Sequence, residues 1–240
     1  MKKFSFLSAI IFLVGVCCCV SCGYLVSNAL VLTFQTINSV SIESQTVYAI
    51  STFSSDEKNN VEEQKENLQK QNGAGFVFQF DSKYHLVASI YENQNDAEKV
   101  KKNLETAGLS AEILKIETPK KEVEGNFSNE EKTVLTNCLK SNFEIFKKLY
   151  DISISFDTKI FDETKAKLEC NNVFSSHVST KSNFDTLFKN HPSPALKEVS
   201  QNLTNVQEIL SNLIAENFDS SGQTFSSLIK QSYCKILLAQ

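Results

Sequence analysis

The chain has 240 residues, of which 22% are charged and 41% are hydrophobic, and its formal net charge is −4. All 24 basic residues are lysines that are spread along the chain without forming a stripe, which excludes a nucleic-acid-binding surface of the kind that depends on clustered cations. The length allows two small domains, and the scarcity of glycine (7) and proline (3) leaves little room for flexible linkers.

The N-terminal segment is the most apolar part of the sequence. After Lys2 and Lys3 no charged residue occurs before Glu43, and residues 4–34 are mostly apolar. A membrane-spanning helix needs about 20 such residues, whereas a cleaved signal peptide has an apolar run of only about 7–15. The sequence therefore predicts a cytoplasmic N-terminal tip and a transmembrane anchor over residues 1–34. Because the lysines precede the helix, the prediction is a single-pass protein of the cell membrane with a cytoplasmic N-terminus and an extracytoplasmic body.

Four of the seven cysteines fall within this predicted anchor: Cys17, Cys18, Cys19 and Cys22. They are either ordinary residues of a membrane helix or include an acylated Cys22, while a metal site lacks a nearby histidine or carboxylate to complete it. The other three cysteines are too few and too far apart to indicate a disulfide framework.

A polar neck, residues 35–44, leads into a region, residues 45–118, whose hydrophobic period changes repeatedly. The segments "TVYAISTF", "GFVFQF", "YHLVASIY" and "AEILKIE" predict strands, and the two charged segments that end near Gly73 and Gly108 predict helices. The order β-α-β-β-α-β with right-handed crossovers gives a ferredoxin-like, four-stranded antiparallel sheet with both helices on one face. This arrangement predicts a second, bare sheet face.

The same region carries a family resemblance. The segment "YHLVASIYENQNDAEKVKKNLETAG" resembles the second half of a bacterial SPOR (sporulation-related repeat) domain, and "VYAISTFSSDEKN" resembles the first strand of that domain and its exit. The matching positions of the second half are Tyr84, Leu86, Ser89, Tyr91, Ala97, Leu104 and Gly108. The resemblance implies non-catalytic binding of peptidoglycan glycan strands through the open sheet face, in cell division or in sporulation, between which the sequence does not choose.

Alternation along the strands assigns the candidate binding residues to the bare face. The candidate glycan contacts are Ser51, Thr52, Gln79, Lys83, His85 and Tyr91. On the second strand the same rule directs Phe76, Phe78 and Phe80 toward the helices. A polar residue on any solvated sheet face fits this pattern equally well, so a solvent-facing His85 without a ligand is the alternative. The chain departs from the family at Ala49, where glutamine is common, and at His85, where an arginine-like donor is common.

A charged linker, residues 119–127, precedes residues 128–240, which are predicted to form an all-α helical bundle of unknown role. Ser128 and Glu131 fit a capping box, and a further helix is expected over about residues 157–177. After Pro194 a heptad seam follows: Leu196, Val199, Leu203, Val206, Leu210 and Leu213. The seam indicates either the core of a four-helix bundle or a surface that pairs with a protein partner.

No catalytic constellation is evident. The three histidines, His85, His177 and His191, are dispersed and do not form a zinc motif, and the carboxylates lie on solvated helical faces. The prediction is therefore a membrane-anchored α+β protein that is not an enzyme, has no cofactor or metal, and binds peptidoglycan glycan. The alternative is a membrane-anchored assembly or scaffold protein whose ferredoxin-like domain makes protein contacts without binding glycan.

Overall fold

A computed structural model describes residues 38–191, 193–215 and 223–238 of the chain. In chain order the elements are β1 (Asn38–Ile42), β2 (Thr46–Ser55), α1 (Lys58–Lys70), β3 (Phe76–Phe80), β4 (Lys83–Tyr91), α2 (Gln94–Thr106), β5 (Glu112–Glu117), β6 (Lys121–Gly125), α3 (Asn129–Asp157), α4 (Glu163–Phe188), α5 (Pro194–Ile214) and α6 (Phe225–Leu238). Within these residues the strands form one four-stranded sheet, ordered β3-β4-β2-β5, and a two-stranded sheet of β1 and β6.

Local signals fix the elements between β2 and β5. The Asn93 side chain caps α2 by accepting a hydrogen bond from the backbone N–H of Asp96 at 2.9 Å, and Gly108 follows the helix with φ +80°. Asp81 and Ser82 have φ values of +46° and +67°, as a two-residue type I′ hairpin turn between β3 and β4 requires. All three strand pairings are antiparallel, and the register of β2 on β4 shifts on either side of Ser51.

The second face of the four-stranded sheet is covered, so the prediction of a bare face is wrong. Val47, Ala49 and Val87 are fully buried and belong to one core cluster with Phe146 of α3 and Tyr233 of α6. A hydroxyl pair joins the two layers, since the Tyr233 hydroxyl lies 2.7 Å from Ser89 Oγ. The apolar run from Val47 to Ile50 is what a strand needs when both of its faces are buried.

Helices α3 to α6 form the bundle that covers this face. The heptad seam of α5 is buried along its whole length inside the chain, so it is core and does not present a pairing surface. The capping box at the start of α3 is confirmed, because Glu131 N–H donates to Ser128 Oγ and Ser128 N–H donates to Glu131 Oε2. The helix expected over about 157–177 was placed too early, since α3 runs to Asp157 and α4 starts after Asp162, which caps it.

The predicted neck and linker contain strands that pair with each other. Residues 38–42 form β1 and residues 121–125 form β6. Val40 and Val123 are buried in a second core cluster with Phe127, Leu135 and further bundle residues. Each strand carries one or two apolar residues among polar ones, which is too short a pattern to indicate a strand in the sequence.

The membrane predictions are corrected. Among the residues that the structure describes, no helix is long and apolar enough to cross a membrane, and the anchor predicted at 1–34 lies outside those residues. The described fold is a mixed α/β arrangement of six helices and two small antiparallel sheets. The predictions of a transmembrane helix, of the membrane as a partner and of a single-pass membrane localisation therefore have no support in the described residues.

Candidate functional site

The six predicted glycan contacts do not share one surface. Ser51 and His85 are buried, with 3% and 5% of their surface exposed, and His85 Nδ1 lies 3.2 Å from Ser51 Oγ. Lys83 and Gln79 are exposed, whereas Tyr91 is buried and Thr52 is half-buried. The structure therefore brings Ser51 and His85 together in the covered layer and leaves the others elsewhere.

The β3 side chains point opposite to the prediction. Phe78 lies across from His85 and Gln79 lies across from Tyr84 in the β3–β4 pairing. Because residues directly opposite in an antiparallel pair share a face, Phe78 faces the bundle and Gln79 faces the side of α1 and α2. The two-residue turn at Asp81 and Ser82 fixes this register, and it was the sequence signal that could have assigned the face correctly.

An open cleft lies on the other side of the sheet, where residues of α1, α2 and the sheet line it. The cleft has a volume of about 880 Å³ and contains Thr52 and Tyr91 of the predicted set. Its floor and apolar walls are formed by Ile50, Leu68, Leu86, Ala88, Val100 and Leu104. The bundle also contributes to the lining, through α3 residues that include Ile154 and α6 residues that include Lys230. This volume lies within the range of about 300–1,000 Å³ that is usual for ligand sites.

One wall of the cleft is a row of uncharged amides on α1 and on the residue that caps its C-terminus, which we call the amide row: Gln64, Asn67 and Gln71. Their spacing of three and four residues places them on one face of the helix. All three are exposed, and their side-chain amides have no hydrogen-bond partner among the described residues. Each free amide offers both donors and an acceptor to a ligand.

An aromatic side chain stands at the same cleft. Phe53 is 41% exposed although it is a large apolar residue. Irregular pairing of β2 with β4 around Ser51 and Phe53 interrupts the alternation there. Such a bulge redirects side chains and is common next to binding sites. The structure thus places an exposed ring and a row of amides around one cleft, and strand alternation alone would not have found either.

Some of the residues that line the cleft form a compact ion-pair network. Lys230 Nζ donates to Asp157 Oδ2 at 2.5 Å, to the Asn72 carbonyl at 2.9 Å and to Ser226 Oγ at 3.0 Å. Ser226 Oγ in turn donates to Asp157 Oδ1 at 2.6 Å. The carboxylate holds both the ammonium and the hydroxyl, so this network fixes the chain and does not activate Ser226 as a nucleophile.

Tyr91 and the bundle cysteines stay uncharged near neutral pH. Burial raises the pKa of Tyr91, whose ring packs edge-on against Tyr150 with centroids 5.8 Å apart. Burial also raises the pKa values of Cys138 and Cys170 to about 12, and that of Cys234 well above its usual range. A thiol is a poor nucleophile and a poor metal ligand in this state. In the described part of the chain no group of three His, Cys, Asp or Glu could hold a metal ion.

Two of the histidines have structural roles in the bundle. His177 is 2% exposed and its Nε2–H donates to the Leu203 carbonyl of α5 at 2.8 Å. His177 Nδ1 has no hydrogen-bond partner among the described residues, and burial lowers the pKa of the imidazole. His191 Nε2 lies 3.0 Å from Glu131 Oε1 at the start of α3. Both histidines therefore lie outside the cleft.

Comparison with known proteins adds no relative to this picture. The chain matches no protein-family model, no curated protein and no solved structure. The similarity of residues 45–118 to SPOR domains therefore stays a prediction from the sequence.

Proposed function

We propose that the chain is a non-catalytic binding protein for a glycan strand, and that the strand lies in the cleft between α1 and α2. The observation that carries the proposal is the amide row beside the exposed ring of Phe53. Sugar hydroxyls and acetamido groups exchange hydrogen bonds with side-chain amides, while the C–H face of a pyranose packs on an aromatic ring.

The proposal moves the site from the covered sheet face to the helix side of the sheet. A ligand on the covered face would have to displace α3 and α6 from a fully buried core that includes Val47 and Val87. The cleft needs no such rearrangement, and Thr52 and Tyr91 of the original set line it. The sequence resemblance makes peptidoglycan glycan without stem peptides the first ligand to test.

The direct test is sedimentation of the full chain with purified cell-wall sacculi that an amidase has stripped of stem peptides. A sample without sacculi measures sedimentation of the protein alone, and a known SPOR domain serves as the positive control. Phe53→Ala and Asn67→Ala should each reduce the bound fraction, with apparent Kd rising about fivefold for a lost contact of about 1 kcal/mol. Asn103→Ala, an exposed amide of α2 outside the cleft, is the matched control and should bind like the wild type.

A second comparison separates the two faces of the sheet. Lys83 is an exposed member of the original candidate set and does not line the cleft. Lys83→Gln should leave binding unchanged if the cleft is the site. Loss of binding in Lys83→Gln, with full binding by Phe53→Ala and Asn67→Ala, would contradict the cleft. Failure of the wild type to sediment while the positive control succeeds would refute glycan binding altogether.

The alternative, a role in assembly, depended on the α5 seam as the pairing surface, and the structure does not expose that seam. Leu196, Leu203 and Leu210 of the α5 seam are buried within the chain, so this helix offers no apolar stripe to a partner. Any self-association would have to use another part of the molecule.

A further inference from the structure

The two edges of the four-stranded sheet differ in charge. The sheet order makes β3 and β5 the edge strands. On β5, exposed charges stand at Glu112, Lys115 and Glu117, and charges of this kind discourage another strand from adding to an edge. The β3 sequence, "FVFQF", has no charged residue at all. The β3 edge therefore lacks the charged side chains that discourage strand addition at the β5 edge.

The hairpin register shows which backbone groups of β3 point outward. Phe80 and Lys83 close the two-residue turn, and such a closing pair exchanges hydrogen bonds between its own backbone groups. The next hydrogen-bonded pair is two residues on, between Phe78 and His85. The N–H and C=O groups of Val77 and Gln79 consequently point away from β4. They have no backbone partner among the described residues.

The aromatic side chains of β3 extend the same edge. Phe76, Phe78 and Phe80 form a ladder with centroid separations of 6.4 and 6.3 Å. They pack against the main core and are only partly buried there. A strand added beside β3 would cover more of these rings, which is favourable because apolar surface would leave water.

We propose that β3 pairs with β3 of a second copy of this chain, antiparallel and about a two-fold axis at Phe78. Val77 then lies opposite Gln79 of the second copy, Gln79 lies opposite its Val77, and the two pairs exchange four backbone hydrogen bonds. Phe76 meets Phe80 of the second copy, so the two aromatic ladders join. No like charges face each other, because neither strand carries any.

A second copy fits this edge better than an unrelated strand for a reason of symmetry. The outward groups of Val77 and Gln79 are related to themselves by a two-fold axis through Phe78, so one patch satisfies both partners and the assembly closes as a dimer. The charged β5 edge is not a competing surface. The dimer is independent of the glycan proposal, since β3 residues do not line the cleft.

Sedimentation velocity of the full chain at rising concentration tests the dimer. The monomer mass is 26.9 kDa, and a species of twice that mass is expected for the wild type. Gln79→Pro removes one outward N–H and spares the hydrogen bonds to β4, so it should weaken dimerisation at least tenfold. Gln79→Lys should also weaken dimerisation, because it places two like charges near each other across the two-fold axis. Glu112→Lys changes a charge on the β5 edge instead, and as the control it should leave the mass of the dimer unchanged.

Three outcomes would overturn the proposal. The first is a monomer at every concentration, and the second is a dimer that persists in both Gln79 variants, whose circular dichroism spectra confirm that they are folded. Association through the N-terminal apolar segment would give this second result, because all variants share that segment. The third is a wild-type monomer that binds an added peptide of sequence GFVFQFD, which would show an edge that accepts strands from other chains.

Discussion

The ion pair of Lys230 and Asp157 predicts an asymmetric response to mutation. The Lys230 side chain is 11% exposed and that of Asp157 is 31% exposed. Asp157→Ala leaves a nearly buried ammonium with only the Asn72 carbonyl and Ser226 Oγ as partners. Lys230→Met instead leaves a carboxylate that reaches water and still accepts a hydrogen bond from Ser226.

The expected magnitudes follow from burial. Removing one partner of a fully buried pair costs about 3–5 kcal/mol, and we place Asp157→Ala below this range, at about 2 kcal/mol, because the Asp157 carboxylate is 31% exposed and water reaches the site. Lys230→Met should cost about 1 kcal/mol, since the apolar replacement has a similar shape and the remaining charge is solvated. The double variant should be less destabilised than Asp157→Ala, because it contains no unpaired ammonium.

Urea denaturation of the full chain, followed by far-ultraviolet circular dichroism, gives the free energies of unfolding for the wild type, the two single variants and the double variant. An equal or larger loss in Lys230→Met than in Asp157→Ala would refute the reasoning. Losses that simply add in the double variant would also refute it, because they would show that the two side chains do not interact.

Three further changes can be measured in the same assay. Tyr233→Phe should cost about 1 kcal/mol because it removes the hydrogen bond between the buried hydroxyls of Tyr233 and Ser89. Ser128→Ala should cost about 1 kcal/mol by removing the α3 capping box. The third change tests His177, whose pKa is lowered by burial, so that the folded state binds a proton at this imidazole less readily than the unfolded state does. The contribution of His177 to stability is therefore complete above the pKa of the unfolded state, about 6.5, and decreases as the pH falls below that value. His177→Gln should flatten this slope by up to about 1.4 kcal/mol per pH unit, and an unchanged slope would contradict the role of His177.

Some of the fold could be predicted because the signals are local. Alternation in "TVYAISTF" and "YHLVASIY", together with glycines after each helix, was sufficient for the order of strands and helices in residues 46–117. Ser128 and Glu131 likewise predicted the start of α3, since a capping box involves residues only three apart. Each of these features depends on neighbours along the chain.

The covering of the sheet was missed because it depends on contacts between distant residues. The run from Val47 to Ile50 has no charged member, which is typical of burial on both faces, but the element order places both helices of this region on one face and favoured the other interpretation. Assigning Phe78 to the wrong side followed from treating each strand alone, without the register that the Asp81–Ser82 turn imposes. The cleft residues were missed for a similar reason, since Phe53 reaches the cleft at an irregularity of pairing and the amide row lies on a different element.

The layer of helices over Val47, Ala49 and Val87 has a practical consequence for how this protein can be divided. Truncating the chain at residue 118 would produce a fragment in which the apolar sheet face that α6 normally covers is exposed to solvent. Such a fragment is expected to aggregate, and binding measured with it would reflect the exposed apolar face instead of the native molecule. The N-terminal α/β region and the helices that follow it are best treated as one indivisible cooperative body, so point substitutions are the appropriate tool for dissecting it.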